Sequence, residues 1–336
     1  MNCLVTGGAG FIGSNLVKAL LERDHSVRVL DNFTTGKWKN LEPFQDFIQL
    51  IEGDLRDCHV VHKAVRDIEL IFHQGALPSV PRSVNDPITT NQINIEGTLN
   101  VLNAARNTGV QRVIYASSAS TYGENSETPR REDMAPCPIS PYGVAKLTGE
   151  KYCQVFTRIY GLETVCLRYF NVFGPGQDAR SEYTGAIPIF ITAFLGGNKV
   201  VVDGDGEQTK DFTFVDNVVQ ANLLAADAEG VAGEVFNIAC GQQTSINQIL
   251  SHLRKITGID VDVTYGLPRP GDIKHSQADI NKACRILGYR PTVSVVEGLR
   301  RSVAWYRVAS NGNVAVEYQS IDESQYAPEV WLNAGG

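Results

Sequence analysis

The chain lacks the cysteine patterns of secreted and metal-binding proteins. Its seven cysteines are odd in number and scattered without a Cys-x-x-Cys motif, which favours reduced thiols over a disulfide framework. Residues 58–62 contain two histidines that could share a helical face, but a third ligand is missing nearby. Because zinc sites take three or four protein ligands, we expect no metal site.

Long apolar runs and clusters of positive charge are also absent. No run approaches the roughly 20 residues that span a bilayer, and Met1 leads directly into a strand-like segment without a signal peptide. We therefore expect a cytoplasmic protein that does not enter a membrane. The net charge is −7 and no basic cluster is present, so we expect neither nucleic acid nor an anionic membrane surface as a partner.

Apolar runs do occur, and they alternate with helical patterns. They lie at residues 2–6, 26–30, 47–51, 69–73, 112–116, 163–169 and 235–239. This alternation predicts βαβ units and a doubly wound parallel sheet of the Rossmann type, an α/β fold. A chain of 336 residues with 43% hydrophobic content can bury a core of that size.

A glycine-rich turn joins the first apolar run to the first helical pattern. Residues 7–13 follow the strand directly and precede a helix predicted for residues 14–23. Gly7 would make the tight turn, Gly10 would admit backbone N–H groups to a pyrophosphate, and Gly13 would let the helix pack on the strand. The order of strand, glycine turn and helix predicts a dinucleotide site.

Asp31 ends the second apolar run, about twenty residues past the glycine turn, which is the spacing of the ribose-binding acid in dinucleotide sites. A carboxylate there can accept hydrogen bonds from both ribose hydroxyls of the adenosine, and it repels a 2′-phosphate. We therefore expect NAD as the cofactor. Lys37 and Lys39 lie further on and leave NADP as an alternative.

Tyr142 and Lys146 stand four positions apart in a helical pattern and project from the same face. A phenol has a pKa of about 10, and a nearby ammonium favours the phenolate. The pair can therefore transfer a proton. Serines at positions 117, 118 and 120 lie some two dozen residues upstream.

After residue 174 the chain becomes rich in Gly, Pro and Asp, which predicts a second, smaller α/β lobe that is interleaved with the first domain and closes over a substrate. The predicted parts are an NAD-binding domain over residues 1–173 with a returning strand near 235–239, a substrate-binding lobe over 174–234 and 240–308, and a C-terminal tail over 309–336.

With these motifs the chain resembles the extended short-chain dehydrogenase/reductase superfamily, and within it the nucleotide-sugar 4-epimerases. The resemblance runs from residue 2 to about residue 307 and rests on residues 7–13, Asp31, 53–55, 73–76, Asn94, Ser118, Tyr142, Lys146 and 168–171. It implies a homodimer formed through a four-helix bundle, here by helices near residues 95–106 and 143–160.

The resemblance implies a cofactor site in which Asp54 bonds the adenine amine beside Leu55. The alternative for Asp54 is a turn residue that ends a strand. The expected cofactor-binding residues are Gly7, Gly10, Phe11, Ile12, Gly13, Asp31, Asn32, Asp54, Leu55, Gln74, Ala76, Tyr142 and Lys146.

It also implies a nucleotide-sugar site. Asn171 would bond the diphosphate or the sugar, and the guanidinium of Arg269 would hold the diphosphate. Lys210 stands where relatives usually carry Arg, and an ammonium lacks the bidentate geometry. The expected substrate-binding residues are Ser118, Ser120, Asn171, Lys210, Arg269 and Ser276.

Residues 119 and 120 distinguish the reactions of this superfamily. Related 4,6-dehydratases carry Asp-Glu there and decarboxylases a Glu, whereas Ala119 and Ser120 can act as neither acid nor base near neutral pH. Reversible oxidation at one carbon is left. By the resemblance, Tyr142 takes the C4 hydroxyl proton while hydride passes to NAD⁺, and Ser118 orients O4. Lys146 and the nicotinamide charge would lower the Tyr142 pKa.

Ser276 falls where 4-epimerases restricted to glucose and galactose carry Tyr, and where those that accept N-acetyl sugars carry a small residue. A phenol ring would fill the space that the acetamido group needs, and overpacking costs roughly 1–3 kcal/mol. We expect UDP-GlcNAc and UDP-GalNAc to be interconverted, with UDP-Glc and UDP-Gal as weaker substrates. Alternatively, Ser276 only caps a loop.

Other functions stay open. A UDP-glucuronate 4-epimerase needs a cation for the C6 carboxylate, and that branch carries Thr and Arg where this chain has Asn171 and Asp178. A non-catalytic NAD-binding sensor would have no need of the Tyr, Lys and Ser together. A GDP- or dTDP-sugar is not distinguished from a UDP-sugar by these residues.

Overall fold

Seven parallel strands form the central sheet of the structure, a computed structural model that describes residues 1–125, 127–181, 184–268 and 274–309. In chain order they are β1 (Asn2–Thr6), β2 (Ser26–Asp31), β3 (Ile48–Glu52), β4 (Leu70–His73), β5 (Arg112–Ser118), β6 (Glu163–Tyr169) and β11 (Val235–Ile238). Their spatial order is β11-β6-β5-β4-β1-β2-β3. The predicted doubly wound parallel sheet is confirmed, and its order reverses beside β1, where such sheets bind ligands.

In the described part of the chain, six short strands pair outside this sheet. The pairs are β7 (Val172–Phe173) with β10 (Thr213–Phe214), β8 (Val200–Val202) with β13 (Val263–Tyr265), and β9 (Thr209–Lys210) with β12 (Thr244–Ser245).

The α-helices lie between the strands and after the last of them. They are α1 (Phe11–Leu21), α2 (Cys58–Val65), α3 (Val80–Asn85), α4 (Pro87–Asn91), α5 (Gly97–Thr108), α6 (Pro141–Tyr160), α7 (Ala186–Gly196), α8 (Val215–Asp227), α9 (Ile246–Thr257), α10 (Asn281–Ile286) and α11 (Val295–Ala309).

Helices cover both faces of the central sheet. On one face α1 and α8 pack together, and Leu16 and Val218 belong to the apolar core there. On the other face α2 packs on α5, with Val61 and Val101 in a second core. Strands buried on both faces are continuously apolar, which is why the apolar runs predicted them.

The chain leaves the central sheet after β6 and returns to it as β11. Val235 pairs with Cys166 and Ile238 with Tyr169, in parallel register. The predicted returning strand therefore lies at the edge of the sheet beside β6. The division of the chain into two lobes at residue 174 stays a prediction, and the tail beyond Ala309 lies outside the described residues.

Within the described ranges, none of the helices combines the length and apolarity that crossing a bilayer requires. In the same ranges, His, Cys, Asp and Glu side chains form no group of three or more that could hold a metal ion. α5 packs against α6, and α6 exposes Val155 and Ile159. The homodimer and the cytoplasmic location stay predictions.

Candidate active site

The glycine turn after β1 is so tight that two of its glycines have no room for a side chain. Gly7 has φ of +67°, and a Cβ there would lie 2.7 Å from Cα of Gly75. A Cβ on Gly13 would lie 2.1 Å from the carbonyl oxygen of Gly7. Gly10 is the N-cap of α1 and offers no side-chain cap, so the first helical N–H groups can bind a pyrophosphate.

Asp31 is the last residue of β2, buried beside this turn. Its Oδ2 accepts a hydrogen bond from the Ala9 N–H at 2.9 Å, and its Oδ1 accepts one from the Phe33 N–H at 2.8 Å. Burial raises the pKa of Asp31, and these backbone hydrogen bonds oppose the rise. The carboxylate is therefore held in one orientation at the edge of the turn, which fits the ribose of a dinucleotide.

Asp54 is engaged by a neighbour that the sequence analysis did not consider. Its carboxylate accepts two hydrogen bonds from the Arg56 guanidinium, at 2.9 and 2.8 Å, and one from Asn32 Nδ2 at 2.8 Å. Arg56 holds the pKa of Asp54 well below its usual range. The Arg56 N–H also donates to Asp54 Oδ1, as in a turn. Both interpretations of Asp54 are compatible with these contacts.

The other predicted cofactor residues lie along the same edge of the sheet. Leu55 is buried, and its Cδ1 would be 2.9 Å from a Cβ on Gly75. The Gln74 amide bonds Asn222 at 3.1 Å and Tyr169 at 3.2 Å. The remaining predicted cofactor residues are half-buried: Phe11, Ile12, Asn32 and Ala76.

α6 positions Tyr142 and Lys146. The helix begins with Pro141 in its first turn, and the Ser140 hydroxyl accepts a hydrogen bond from the Gly143 N–H at 3.1 Å, which satisfies one of the free N–H groups at the helix start. Tyr142 and Lys146 therefore lie one turn apart. The Lys146 Nζ is 5.9 Å from the centroid of the Tyr142 ring.

Burial shifts the pKa of both side chains. Lys146 Nζ donates a hydrogen bond to the Ala116 carbonyl at 2.8 Å, and burial lowers the Lys146 pKa to about 8. Burial raises the pKa of Tyr142, and a hydrogen bond with Ser118 opposes the rise. The predicted lowering of the Tyr142 pKa, by Lys146 together with the nicotinamide charge, concerns the enzyme with its cofactor bound and stays a prediction.

Ser118 ends β5 and joins this pair. Its Oγ lies 3.1 Å from the Ser120 Oγ and accepts a hydrogen bond from the Ser120 N–H at 3.1 Å. The structure thus brings Ser118, Tyr142 and Lys146 together at the carboxyl end of β5, with Ser120 beside them.

Three predicted substrate residues meet beyond the carboxyl end of β6. Asn171 has φ of +38°, and its Nδ2 donates to the Asp211 carbonyl at 3.3 Å. The Ser276 N–H donates to the Thr209 carbonyl at 3.0 Å, which places Ser276 beside Lys210. Arg269, the fourth predicted residue of this group, lies outside the described residues.

Asp211 holds this region in place. It is fully buried, and it accepts hydrogen bonds from the Cys240 N–H at 3.0 Å and the Ala278 N–H at 3.1 Å. Burial raises the pKa of Asp211 to about 6. One carboxylate therefore ties together the segments that carry Lys210 and Ser276.

Residues 3–239 match the family model described as NAD dependent epimerase/dehydratase. The chain belongs to this family. This chain is 36% identical to a UDP-glucose 4-epimerase of Mycolicibacterium smegmatis, over 91% of this chain and 99% of that protein.

Two solved structures resemble the epimerase closely. One is a UDP-glucose 4-epimerase of Thermotoga maritima with UDP-glucose, 40% identical over 92% of this chain and 99% of that one, with a TM-score of 0.88. The other is a UDP-N-acetylglucosamine 4-epimerase of Methanobrevibacter ruminantium with UDP-N-acetylmuramic acid, 41% identical over 92% and 98%, with a TM-score of 0.88. The predicted enzyme class, a nucleotide-sugar 4-epimerase, and the predicted cofactor, NAD, are confirmed.

The epimerase contains a buried histidine to which the sequence analysis gave no role. The His73 ring lies between Thr6 Oγ1, 2.7 Å from Nδ1, and Thr98 Oγ1, 3.0 Å from Nε2. Burial and the Lys146 charge lower the His73 pKa to about 3. The ring is therefore neutral at physiological pH and links β4 to β1 and α5.

A second feature without a role in the sequence analysis is the buried ion pair between Glu150 and Arg168. Glu150 accepts two hydrogen bonds from Arg168, both at 2.8 Å, and a third from the Ser117 hydroxyl. Its position four residues after Lys146 was the available signal, because residues four apart share a helical face. The pair fixes α6 on β5 and β6, the two strands whose ends hold the candidate site.

The structure pairs Asp178 with a lysine next to the glycine turn. Its carboxylate forms an ion pair with Lys37, and the Lys37 N–H donates to the Ala9 carbonyl in the glycine turn at 3.0 Å. The charge of Asp178 is therefore balanced by Lys37, whose backbone is bonded to the glycine turn.

Proposed function

We propose that the epimerase interconverts UDP-GlcNAc and UDP-GalNAc through a 4-keto sugar, and that it turns over UDP-Glc and UDP-Gal more slowly. The observation that carries this proposal is the position of a small residue, Ser276, beside Lys210. Relatives named for UDP-glucose and for UDP-N-acetylglucosamine are about equally similar to the chain, so the choice of sugar rests on the site.

In this proposal Tyr142 is the base. NAD, held by the glycine turn and Asp31, would supply the hydride chemistry at C4. The phenolate of Tyr142 takes the proton of the C4 hydroxyl, and the Ser118 hydroxyl orients O4. Lys146 donates a hydrogen bond to the Ala116 carbonyl, which holds its ammonium 5.9 Å from the centroid of the Tyr142 ring. General base catalysis of this kind contributes about 10²–10⁴ in rate.

Dehydration and decarboxylation fit the site less well. Ala119 and Ser120 form a short 3₁₀ turn directly after Ser118, where an acid or base for those reactions would stand. The Ser120 N–H and hydroxyl are bonded to Ser118. A site with a single proton-transfer group suits oxidation and reduction at one carbon.

Backbone hydrogen bonds hold the segment around Ser276. Its backbone is bonded to Thr209, and two residues later the Ala278 N–H is bonded to the buried Asp211. In this proposal a tyrosine ring at position 276 would fill the space that the acetamido group needs. The cost of overpacking, roughly 1–3 kcal/mol, would weaken the binding of the larger sugar.

A uronate substrate remains the alternative, and its exclusion depends on the absence of a cation rather than on Asp178. The charge of Asp178 is balanced by Lys37, so repulsion of a carboxylate at C6 is weaker than the sequence suggested. Among the described substrate residues, Lys210 alone is cationic. A proposed role of Lys210 at the diphosphate leaves the C6 carboxylate without a dedicated partner.

Product analysis with UDP-GlcNAc, UDP-Glc and UDP-glucuronate tests the proposal. The purified protein should form UDP-GalNAc fastest, UDP-Gal more slowly, and no UDP-galacturonate. Ser276→Tyr should abolish the N-acetyl reaction and spare the plain hexoses, whereas the matched control Ser276→Ala should keep both. A wild type that ignores UDP-GlcNAc, or a tyrosine variant that converts it at the original rate, contradicts the proposal.

A further inference from the structure

An ion pair joins two loops next to the glycine turn. Lys37 lies in the loop after β2, and Asp178 lies in the loop after β7. The Lys37 N–H is bonded to the Ala9 carbonyl at 3.0 Å. Its neighbour Gly36 touches Asp31 so closely that a Cβ there would be 2.9 Å from both carboxylate oxygens. Lys37 therefore follows directly after the residue that contacts the Asp31 carboxylate, which is expected to bind the adenosine ribose.

The loop that carries Asp178 is anchored independently of Lys37. Asn15 Nδ2, on α1, donates to the Pro175 carbonyl at 3.0 Å. The Tyr306 hydroxyl, on α11, donates to the Gln177 carbonyl. Asp178 is therefore held in position by contacts that do not involve Lys37.

The pair itself stabilises the fold little. The Lys37 side chain is 52% exposed and the Asp178 side chain 31%, and exposed ion pairs contribute little free energy. Its main effect is on where the ammonium lies. A free Lys37 beside the ribose would be a partner for a 2′-phosphate, since that phosphate is bound by a cation near the ribose acid.

We propose that Asp178 is a specificity-determining residue for the cofactor: it engages Lys37 and so removes the cation that a 2′-phosphate needs. Discrimination against NADP then has two components. Asp31 repels the 2′-phosphate directly, and Asp178 prevents Lys37 from binding it.

Cofactor exchange on the purified holoenzyme tests this. The protein is equilibrated with mixtures of NAD and NADP, freed of unbound cofactor and denatured, and the two released cofactors are quantified. Asp178→Asn should raise the bound NADP to NAD ratio about tenfold, as expected when an exposed ion pair is replaced by a charge-assisted bond to phosphate. Asp31 should still keep NAD the preferred cofactor.

A double variant separates the two electrostatic explanations. In a Lys37→Gln background, Asp178→Asn should produce no gain in NADP. A matched control is Asp227→Asn, which removes the carboxylate of another exposed pair, with Arg23 at 3.4 Å, and should leave the ratio unchanged. An unchanged ratio in Asp178→Asn overturns the proposal. So does a gain that persists without Lys37, because the carboxylate would then act by its own repulsion.

Discussion

Replacing Gly13 by alanine has two opposing effects on stability. It raises the helix propensity of the residue, and it adds a Cβ for which the glycine turn has no room. Gly13 is the third residue of α1, and alanine is favoured over glycine inside a helix by about 1 kcal/mol. The added Cβ, however, would lie 2.1 Å from the carbonyl oxygen of Gly7 and 2.8 Å from Cα of Gly8. Both contacts are with backbone, so no side-chain rotation relieves them.

The steric term should win. The distance to the Gly7 oxygen must grow from 2.1 Å to at least 3.0 Å, the limit below which real Cβ contacts are essentially not seen, which requires the start of α1 to move away from β1. Overpacking costs roughly 1–3 kcal/mol, more than the propensity gain. The same movement displaces the N–H groups at the helix start, so NAD should bind more weakly as well.

Thermal unfolding with and without NAD measures both effects. At a concentration of 100 times Kd, NAD should stabilise the wild type by about 2.7 kcal/mol, and most of that gain should be lost in Gly13→Ala. The control is Gly266→Ala, where the nearest atom to the new Cβ would be 3.7 Å away. A Gly13→Ala variant that is more stable than the wild type, or that purifies with full NAD content, would refute the reasoning.

Two further predictions concern the proton-transfer site and the buried histidine. Tyr142→Phe keeps the ring and should leave the fold intact, while turnover falls by about 10² or more. Near-normal turnover of this variant would contradict the assigned base. The His73 pKa is lowered from 6.5 to about 3, so the unfolded state takes up a proton that the folded state refuses, and stability falls as the pH drops below 6.5. Between pH 7 and pH 5 the free energy of unfolding should fall by about 2 kcal/mol for this reason. Denaturant titrations at both pH values should show that this fall is absent in His73→Gln. Equal pH dependence in both proteins would show that His73 is not the cause.

The strands were predictable because burial on both faces leaves a local signature in the sequence. Residues 163–169 were predicted as a strand, and β6 spans Glu163–Tyr169. The start of α1 was less predictable. The helix begins at Phe11 rather than at residue 14, because its N-cap is Gly10, which has no capping side chain to mark the boundary.

Contacts between distant charged residues could not be predicted. Lys37 and Asp178 are 141 positions apart, and nothing in the local pattern of either residue selects the other. The sequence therefore suggested that Asp178 faces the sugar, whereas the structure pairs it with Lys37. The position of Ser276 beside Lys210 likewise depends on backbone hydrogen bonds between segments far apart in the chain. Patterns of residue type predict elements, but not which loops meet.

The late return of β11 has a consequence for biosynthesis. Until Val235 has left the ribosome, β6 is an edge strand with unpaired N–H and C=O groups along one side. At about 5–20 residues per second, the stretch from Tyr169 to Val235 takes several seconds to emerge. During that time the nascent chain carries an incomplete sheet whose open edge can pair with another chain. Fragments that end before residue 235 should therefore aggregate rather than fold as an autonomous nucleotide-binding unit.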